Sequence, residues 1–85
     1  MPLNVKVVSA TNEVWSGEAT QIIARTLEGE IGILSGHQPM LALLDRGEVR
    51  VTTTDDEKVT VNAEGGFLSV DHDTVTIVAG EAALA

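Results

Sequence analysis

The feature that most constrains the fold of this chain is the alternation of apolar and polar residues in short segments. In the first segment, Leu3, Val5 and Val7 alternate with Asn4 and Lys6. A period of two places the apolar side chains on one face of a β-strand. The chain also contains 11 Val, 5 Ile and 9 Thr, and these β-branched residues suit a pleated sheet. We therefore predict an all-β fold.

Turn residues divide the chain into many such segments. The predicted strands are 4–10, 13–16, 19–27, 31–34, 48–53, 58–62, 67–70 and 74–78, and the apolar run 40–44 fits a helix or a strand equally. Turns are predicted at 11–13, 28–30, 45–47, 55–57 and 71–73, and the glycines at 65–66 predict a break or a bulge. Frequent turns between short strands are typical of a sandwich or a barrel. Residues 81–85 favour a helix but are too few to hold one alone.

Charge and composition exclude several classes of partner. The 85 residues carry 13 acidic and 5 scattered basic side chains, with a net charge of −8. Nucleic acids and anionic lipids are therefore not expected as partners, because both require clustered cations. The chain has no cysteine and no apolar run near the ~18 residues of a membrane span. We expect a soluble domain that does not insert directly into lipid.

No arrangement of residues predicts catalysis or a bound cofactor. The triplet Asp71-His72-Asp73 would point to alternate faces of an extended chain, and no further His or Cys completes a metal site. The glycines between Gly29 and Gly36 lack the spacing of a phosphate loop or a dinucleotide fingerprint. Ser35 stands outside any Gly-x-Ser-x-Gly motif. We therefore predict that the chain is not an enzyme and binds neither metal nor cofactor.

Composition and spacing leave the binding function open. The run Met40–Leu44 is interpreted either as core or as a partly exposed docking patch. A generic β-sandwich module that binds a small ligand or a peptide is an alternative, and it would require a concave pocket. A small hydrolase would require a nucleophile and a base in reach of each other, which the sequence does not offer.

Five segments in order resemble the epsilon subunit of bacterial F-type ATP synthases. They are 4–10, 14–17, 29–39, 65–70 and 74–80. The most specific is Gly-Glu-Ile-Gly-Ile-Leu-Ser-Gly-His-Gln-Pro at 29–39, which is similar to the family motif Gly-Glu-Ile/Leu-Gly-Ile-x-Pro-x-His-x-Pro-Leu. Ser35 replaces the usual proline and should loosen this loop.

The resemblance implies a fold and a set of partners. The fold is a flattened β-sandwich of about ten short, mostly antiparallel strands. The partners are the gamma subunit and the c subunits of the membrane rotor ring, at the cytoplasmic face of the bacterial plasma membrane. The domain would help couple proton-driven rotation to ATP synthesis without catalysing it.

The resemblance also implies site residues and domain limits. The expected ring interface is Glu28, Glu30, Ser35, His37 and Gln38, and the expected gamma interface is Met40 and Leu41. Residues 1–80 would form the β-sandwich domain. Residues 81–85 would begin the connection to the C-terminal helical hairpin of the family, which is absent from this sequence.

Overall fold

Two long strands organise the structure, a computed structural model that describes residues 2–36 and 38–84. The described residues form eight strands: β1 (Leu3–Val8), β2 (Glu13–Thr26), β3 (Gly29–Leu34), β4 (Met40–Thr53), β5 (Lys58–Glu64), β6 (Phe67–Asp71), β7 (Thr74–Val78) and β8 (Glu81–Leu84). The strand order is β3-β2-β1-β7-β6-β4-β5-β8, and β2 also pairs with β4. All pairings are antiparallel except β1 with β7.

The long strands β2 and β4 each take part in both layers of a sandwich. Along one edge, β2 pairs first with β1 and then with β3. Similarly, β4 pairs first with β6 and then with β5. One layer thus holds β3, the ends of β2 and β4, β5 and β8, whereas the other holds the starts of β2 and β4 with β1, β7 and β6. The structure has eight strands, and because β2 and β4 each count in both layers, they supply the about ten strand segments that were expected. The all-β prediction is confirmed.

The core between the layers is aliphatic. Its largest fully buried side chains come from both layers: Leu3, Ile22, Ile33, Leu68, Ile77, Val7, Val49, Val51, Val61, Val70 and Val75. The alternation that predicted β1, β4 and β5 places these side chains inward. Trp15 is half-buried and packs against this core, where its ring lies over Gly17.

Two predicted strand breaks are wrong. Residues 45–47 were expected to form a tight turn, but they lie within β4. The pairs Ala24↔Val49 and Thr26↔Leu44 show that β4 advances five residues while β2 advances two. The extra residues form a bulge, which bends the strand without ending it. Gly17 also lies within β2, paired with Val5, and does not end a strand.

The sheet also extends past the boundary expected at residue 80. Glu81–Leu84 form β8, which pairs antiparallel with β5, in place of the helix that their composition favours but that they are too few to hold alone. Cross-strand pairing overrides the weak propensity of a short segment. The helical hairpin expected after it stays a prediction.

A two-glycine turn connects the end of β5 to β6. Gly65 and Gly66 have φ angles of 68° and 99°, which glycine adopts most readily. A Cβ on Gly66 would lie 1.9 Å from the carbonyl oxygen of Val78 and 2.7 Å from the Cα of Ala79. A Cβ on Gly65 would meet no atom within 4 Å. The two positions therefore separate backbone strain from steric overlap.

We predict that Gly66→Ala destabilises the domain much more than Gly65→Ala. The Gly65 variant should lose about 1–2 kcal/mol of unfolding free energy from its left-handed φ. The Gly66 variant should lose about 3 kcal/mol or more, because the added methyl overlaps backbone atoms. Urea unfolding followed by the fluorescence of Trp15, the single tryptophan, measures both. Equal losses would show that the β5–β6 turn can move away from Val78.

Candidate interaction surfaces

A tight hairpin carries the first residues expected at the ring interface. Leu27 and Glu28 form the turn between Thr26 and Gly29, which are paired. The Thr26 hydroxyl donates to the carbonyl oxygen of Gly29 at 2.8 Å and accepts from the amide of Glu28 at 3.2 Å. Thr26 is buried, and the exposed Leu27 and Glu28 follow it at the tip. The hairpin thus presents one leucine and one carboxylate to solvent.

Glu30 does not lie in a turn, as the sequence suggested, but in β3 opposite Arg25. Its carboxylate pairs with Arg50 of β4, with 3.0 Å between Oε2 and Nη2. Both side chains are about half exposed. Arg25 lies on the same outer face and forms a looser pair with Asp45, at 3.8 Å. Glu30 is therefore accessible but already engaged, and a cationic partner group must compete with Arg50 for it.

The loop 35–39 carries the other residues expected at the ring interface. Ser35 and Gln38 are exposed, and His37 lies outside the described residues. Gly36 has a φ of 83°, and its amide donates to Oδ1 of Asp73 at 2.7 Å. The loop is thereby joined to the hairpin between β6 and β7.

The expected ring residues lie in two groups at the two ends of β3. Glu28 precedes Gly29 and Ser35 follows Leu34, which are the limits of the strand. Six residues of strand at about 3.3 Å each separate the groups by about 17–20 Å. Among the described residues β3 pairs only with β2, so the outer side of β3 between the two groups offers backbone N–H and C=O groups without a strand partner. The expected residues thus mark one continuous edge with a polar group at each end.

An apolar surface on the other layer was only partly predicted. Leu41 and Leu43 are 70% and 60% exposed, and Leu43 is paired with Phe67 of β6. Phe67 is in turn paired with Val78 of β7. The amide of Leu27 donates to the carbonyl oxygen of Leu43, which brings the β2–β3 hairpin alongside. We refer to Leu27, Leu41, Leu43 and Phe67 as the apolar patch.

Of the two residues expected at the gamma interface, only Leu41 is exposed in this patch. Met40 is half-buried and packs against the core. Alternation along β4 explains the difference, because neighbouring residues of a strand point to opposite faces. The same alternation would have identified Leu43, but the pairing with Phe67 joins residues far apart in the sequence and has no local signal.

Within residues 2–36 and 38–84, no group of three His, Cys, Asp or Glu side chains could hold a metal ion. No helix among them is long and apolar enough to cross a membrane. Two surface depressions of about 420 and 290 Å³ lie beside Arg46 and Glu64 and beside Glu28 and Leu41. The second depression borders the apolar patch.

One family model matches a range that includes all of the described residues. The family described as ATP synthase, delta/epsilon chain, beta-sandwich domain, matches residues 2–85. The chain belongs to this family. Its alternating strands, two-layer sheet and aliphatic core are those of an epsilon-chain β-sandwich domain.

Relatives named ATP synthase epsilon chain match nearly all of this chain. The relative from Micrococcus luteus is 58% identical over 82 residues, which are 96% of this chain and 90% of the relative. The relative from Frankia casuarinae is 43% identical and is matched over 99% of both chains. The relative from Streptomyces avermitilis is 45% identical, with 98% of this chain and 67% of the relative matched. Epsilon chains of different lengths thus share this domain.

Solved ATP synthases contain the same fold. A chain in the cryo-EM structure of the Euglena gracilis mitochondrial ATP synthase, which shows OSCP, F1 and the c-ring, superposes with a TM-score of 0.91 at 26% identity. The match covers 98% of this epsilon-family chain and 53% of the Euglena chain. A chain in the central stalk and c-ring structure of Tetrahymena thermophila has a TM-score of 0.78 at 17% identity, a likeness of fold alone.

We predict that the Glu30–Arg50 pair contributes little to stability. A double-mutant cycle with Glu30→Gln and Arg50→Gln should give a coupling energy of about 0.2–1 kcal/mol, because both groups are half exposed. The coupling should fall in about 1 M salt, where the Debye length is only about 3 Å. Thermal or urea unfolding of the four proteins measures it. A salt-independent coupling well above 1 kcal/mol would show that the pair holds β3 in place.

Proposed function

We propose that this chain is a rotor subunit in the central stalk of a bacterial F-type ATP synthase. In this role it binds the gamma subunit through the apolar patch and the c subunits of the rotor ring through the edge strand β3. The family membership and the Euglena structure with its c-ring support the assembly. The observation that carries the two-surface proposal is that one sandwich exposes both an apolar patch and a polar sheet edge, which adjoin at the β2–β3 hairpin where Leu27 belongs to the patch and Glu28 to the edge.

The apolar patch fits a protein partner. Four large side chains, Leu27, Leu41, Leu43 and Phe67, are exposed on the tip of the β2–β3 hairpin and on the paired strands β4 and β6. Contiguous exposed apolar surface marks a site of protein association. Aromatic and aliphatic anchors at the centre of such a site supply most of the binding free energy. We assign this surface to gamma. The proposed interface thus contains the expected residue Leu41 and its neighbours in the apolar patch. Met40 supports the patch from below.

The β3 edge fits the polar loops of a ring. Glu28 and Glu30 lie at one end and Ser35 and Gln38 at the other, so we expect different partner loops to contact the two groups. A ring presents the same loop repeatedly around its symmetry axis. Neighbouring c subunits can therefore engage the two groups separately. His37, whose placement lies outside the described residues, keeps its expected role beside Gln38.

In this assembly the chain transmits rotation and performs no chemistry of its own. The closed core and the long strands β2 and β4, which run through both layers, make the sandwich a stiff connector between its two surfaces. We propose that it lies at the cytoplasmic face of the bacterial plasma membrane, peripheral to the membrane sector. The first test is co-purification of the chain with purified gamma and with the purified ring. Failure to bind either one would refute the proposed function.

We predict that polar substitutions in the patch weaken gamma binding. Leu41→Gln and Leu43→Gln should each lower the affinity by about tenfold or more, which corresponds to at least about 1.4 kcal/mol. Unfolding free energies should change by less than about 0.5 kcal/mol, because both side chains are exposed. Calorimetric titration with gamma measures the affinity.

Leu84→Gln is the matched control for these variants. Leu84 is 54% exposed and lies in β8, at the opposite edge of the sheet from β3. It should bind gamma as tightly as the unmodified chain. If all three variants lose the same affinity, the patch is not the gamma surface.

We predict that charge changes at Glu30 weaken ring binding. Removal of an exposed carboxylate contact should cost about 0.2–1 kcal/mol, and a dehydrated contact about 2–5 kcal/mol. Glu30→Lys should weaken binding more than Glu30→Gln, because it replaces the carboxylate with a positive charge that would repel any cationic group that Glu30 contacts. Glu81→Gln removes the same charge from the far edge of the sheet and should have no effect. Ring binding measured across a salt series tests the set, and equal affinities for all variants would remove Glu30 from the interface.

A further inference from the structure

The β6–β7 hairpin reaches across to the loop 35–39 through one side chain. Oδ1 of Asp73 accepts the amide of Gly36 at 2.7 Å. The carbonyl oxygen of the same residue accepts the amide of Asn4 at 2.8 Å. Asp73 therefore joins three segments that are distant in sequence: the start of β1, the loop 35–39 and the hairpin between β6 and β7. Asp73 belongs neither to the apolar patch nor to the residues expected at the ring interface.

The backbone of Asp73 has the left-handed conformation of a tight hairpin turn. Its φ is 61° and that of His72 is 48°, so both turn residues are left-handed. Two successive residues with positive φ form the tight turn that matches the twist of a β-hairpin. Asp and Asn adopt this conformation more readily than other residues with side chains. The hairpin is short, so its tip is fixed by the strand pairs Asp71↔Thr74 and Val70↔Val75.

Gly36 is the loop residue that this hydrogen bond holds. Gly36 has a φ of 83°, and a Cβ there would meet no atom within 4 Å. Ser35 leaves its own φ free, where a proline would fix it. A short hydrogen bond from the backbone to a carboxylate is stronger than one between neutral groups. The hairpin thus holds the loop at Gly36 through a charge-assisted hydrogen bond.

We propose that Asp73 is the positioning residue for the loop 35–39. Its carboxylate holds the Ser35–Gly36 turn against the β6–β7 hairpin and so fixes the direction in which Ser35 and Gln38 face the rotor ring. This inference rests on the proposed function, since it gives the loop a purpose in ring binding. Asp73 does not itself contact the ring.

Two substitutions separate the carboxylate contact from the backbone geometry. Asp73→Gly keeps the positive φ and removes the acceptor, whereas Asp73→Asn keeps the positive φ and retains an oxygen acceptor. Asp71→Asn removes a charge from the same hairpin without touching Gly36. The measurements are water exchange of the Gly36 amide by NMR, affinity for the purified ring, affinity for purified gamma, and melting temperature.

Asp73→Gly should speed exchange of the Gly36 amide by about tenfold, as expected for loss of one hydrogen bond to a charged group. It should weaken ring binding several-fold and leave gamma binding and the melting temperature nearly unchanged. Asp73→Asn should restore most of the ring affinity, and Asp71→Asn should have no effect. A purely structural role would lower the melting temperature and both affinities together.

Three outcomes would overturn the proposal. Unchanged Gly36 exchange in Asp73→Gly would show that the carboxylate does not hold the loop. Faster exchange with full ring affinity would show that the loop position does not matter for docking. Failure of the unmodified chain to bind the ring would refute the proposed ring contact itself, and the Gly36 exchange would still report whether the anchor exists.

Discussion

The pairing of β2 with β4 is the constraint on which the rest of the structure depends. Ile22 faces Val51 and Ala24 faces Val49 across this pair, and all four side chains are buried. A shift by one residue would turn each of them to solvent, so burial fixes the register. The bulge between Leu44 and Val49 then bends β4 into the second layer, where it pairs with β6. Both layers, and the core between them, follow from this central pair and its bend.

The two proposed surfaces are consequences of the same geometry. Because β2 pairs with β4 on one side, β3 can only add to the other side and becomes an edge. Because β4 bends, Leu41 and Leu43 come to lie beside Phe67 on the outside of the second layer. The edge carries polar residues at both ends, with the exposed Leu34 beside Ser35 at one of them, and the outer face is apolar. A rigid sandwich with two unlike surfaces is suited to join two unlike partners and to carry torque between them.

Local patterns predicted most of the strands and much of the core. The features that they missed depend on pairing between strands that are distant in the sequence. The alternation around Val49 and Val51 gave the correct inward face, and Asp71-His72-Asp73 gave the correct hairpin. The residues at 45–47 have the composition of a turn, but pairing of Gly47 with Ala63 keeps them in a strand. Residues 81–84 have helical propensity, but β5 offers them a partner. Local sequence carries no information about such partners.

The candidate site shows the same division. The family resemblance led to Glu30, whose side chain is about half exposed in β3. Its pairing with Arg50 joins residues 20 positions apart, and no motif indicates it. The anchor from Asp73 to Gly36 spans 37 positions and was not expected for the same reason. Such contacts follow from strand order, which short-range spacing does not determine.

The central claim is that gamma and the rotor ring bind different surfaces of this domain at the same time. The most direct test is the affinity of the chain for the purified ring, measured alone and with a saturating concentration of purified gamma. Two separate surfaces predict ring binding that is unchanged or tighter in the presence of gamma, and a ternary complex of the three components. Loss of ring binding as gamma saturates the chain would show that the two partners compete for one surface and would contradict the account.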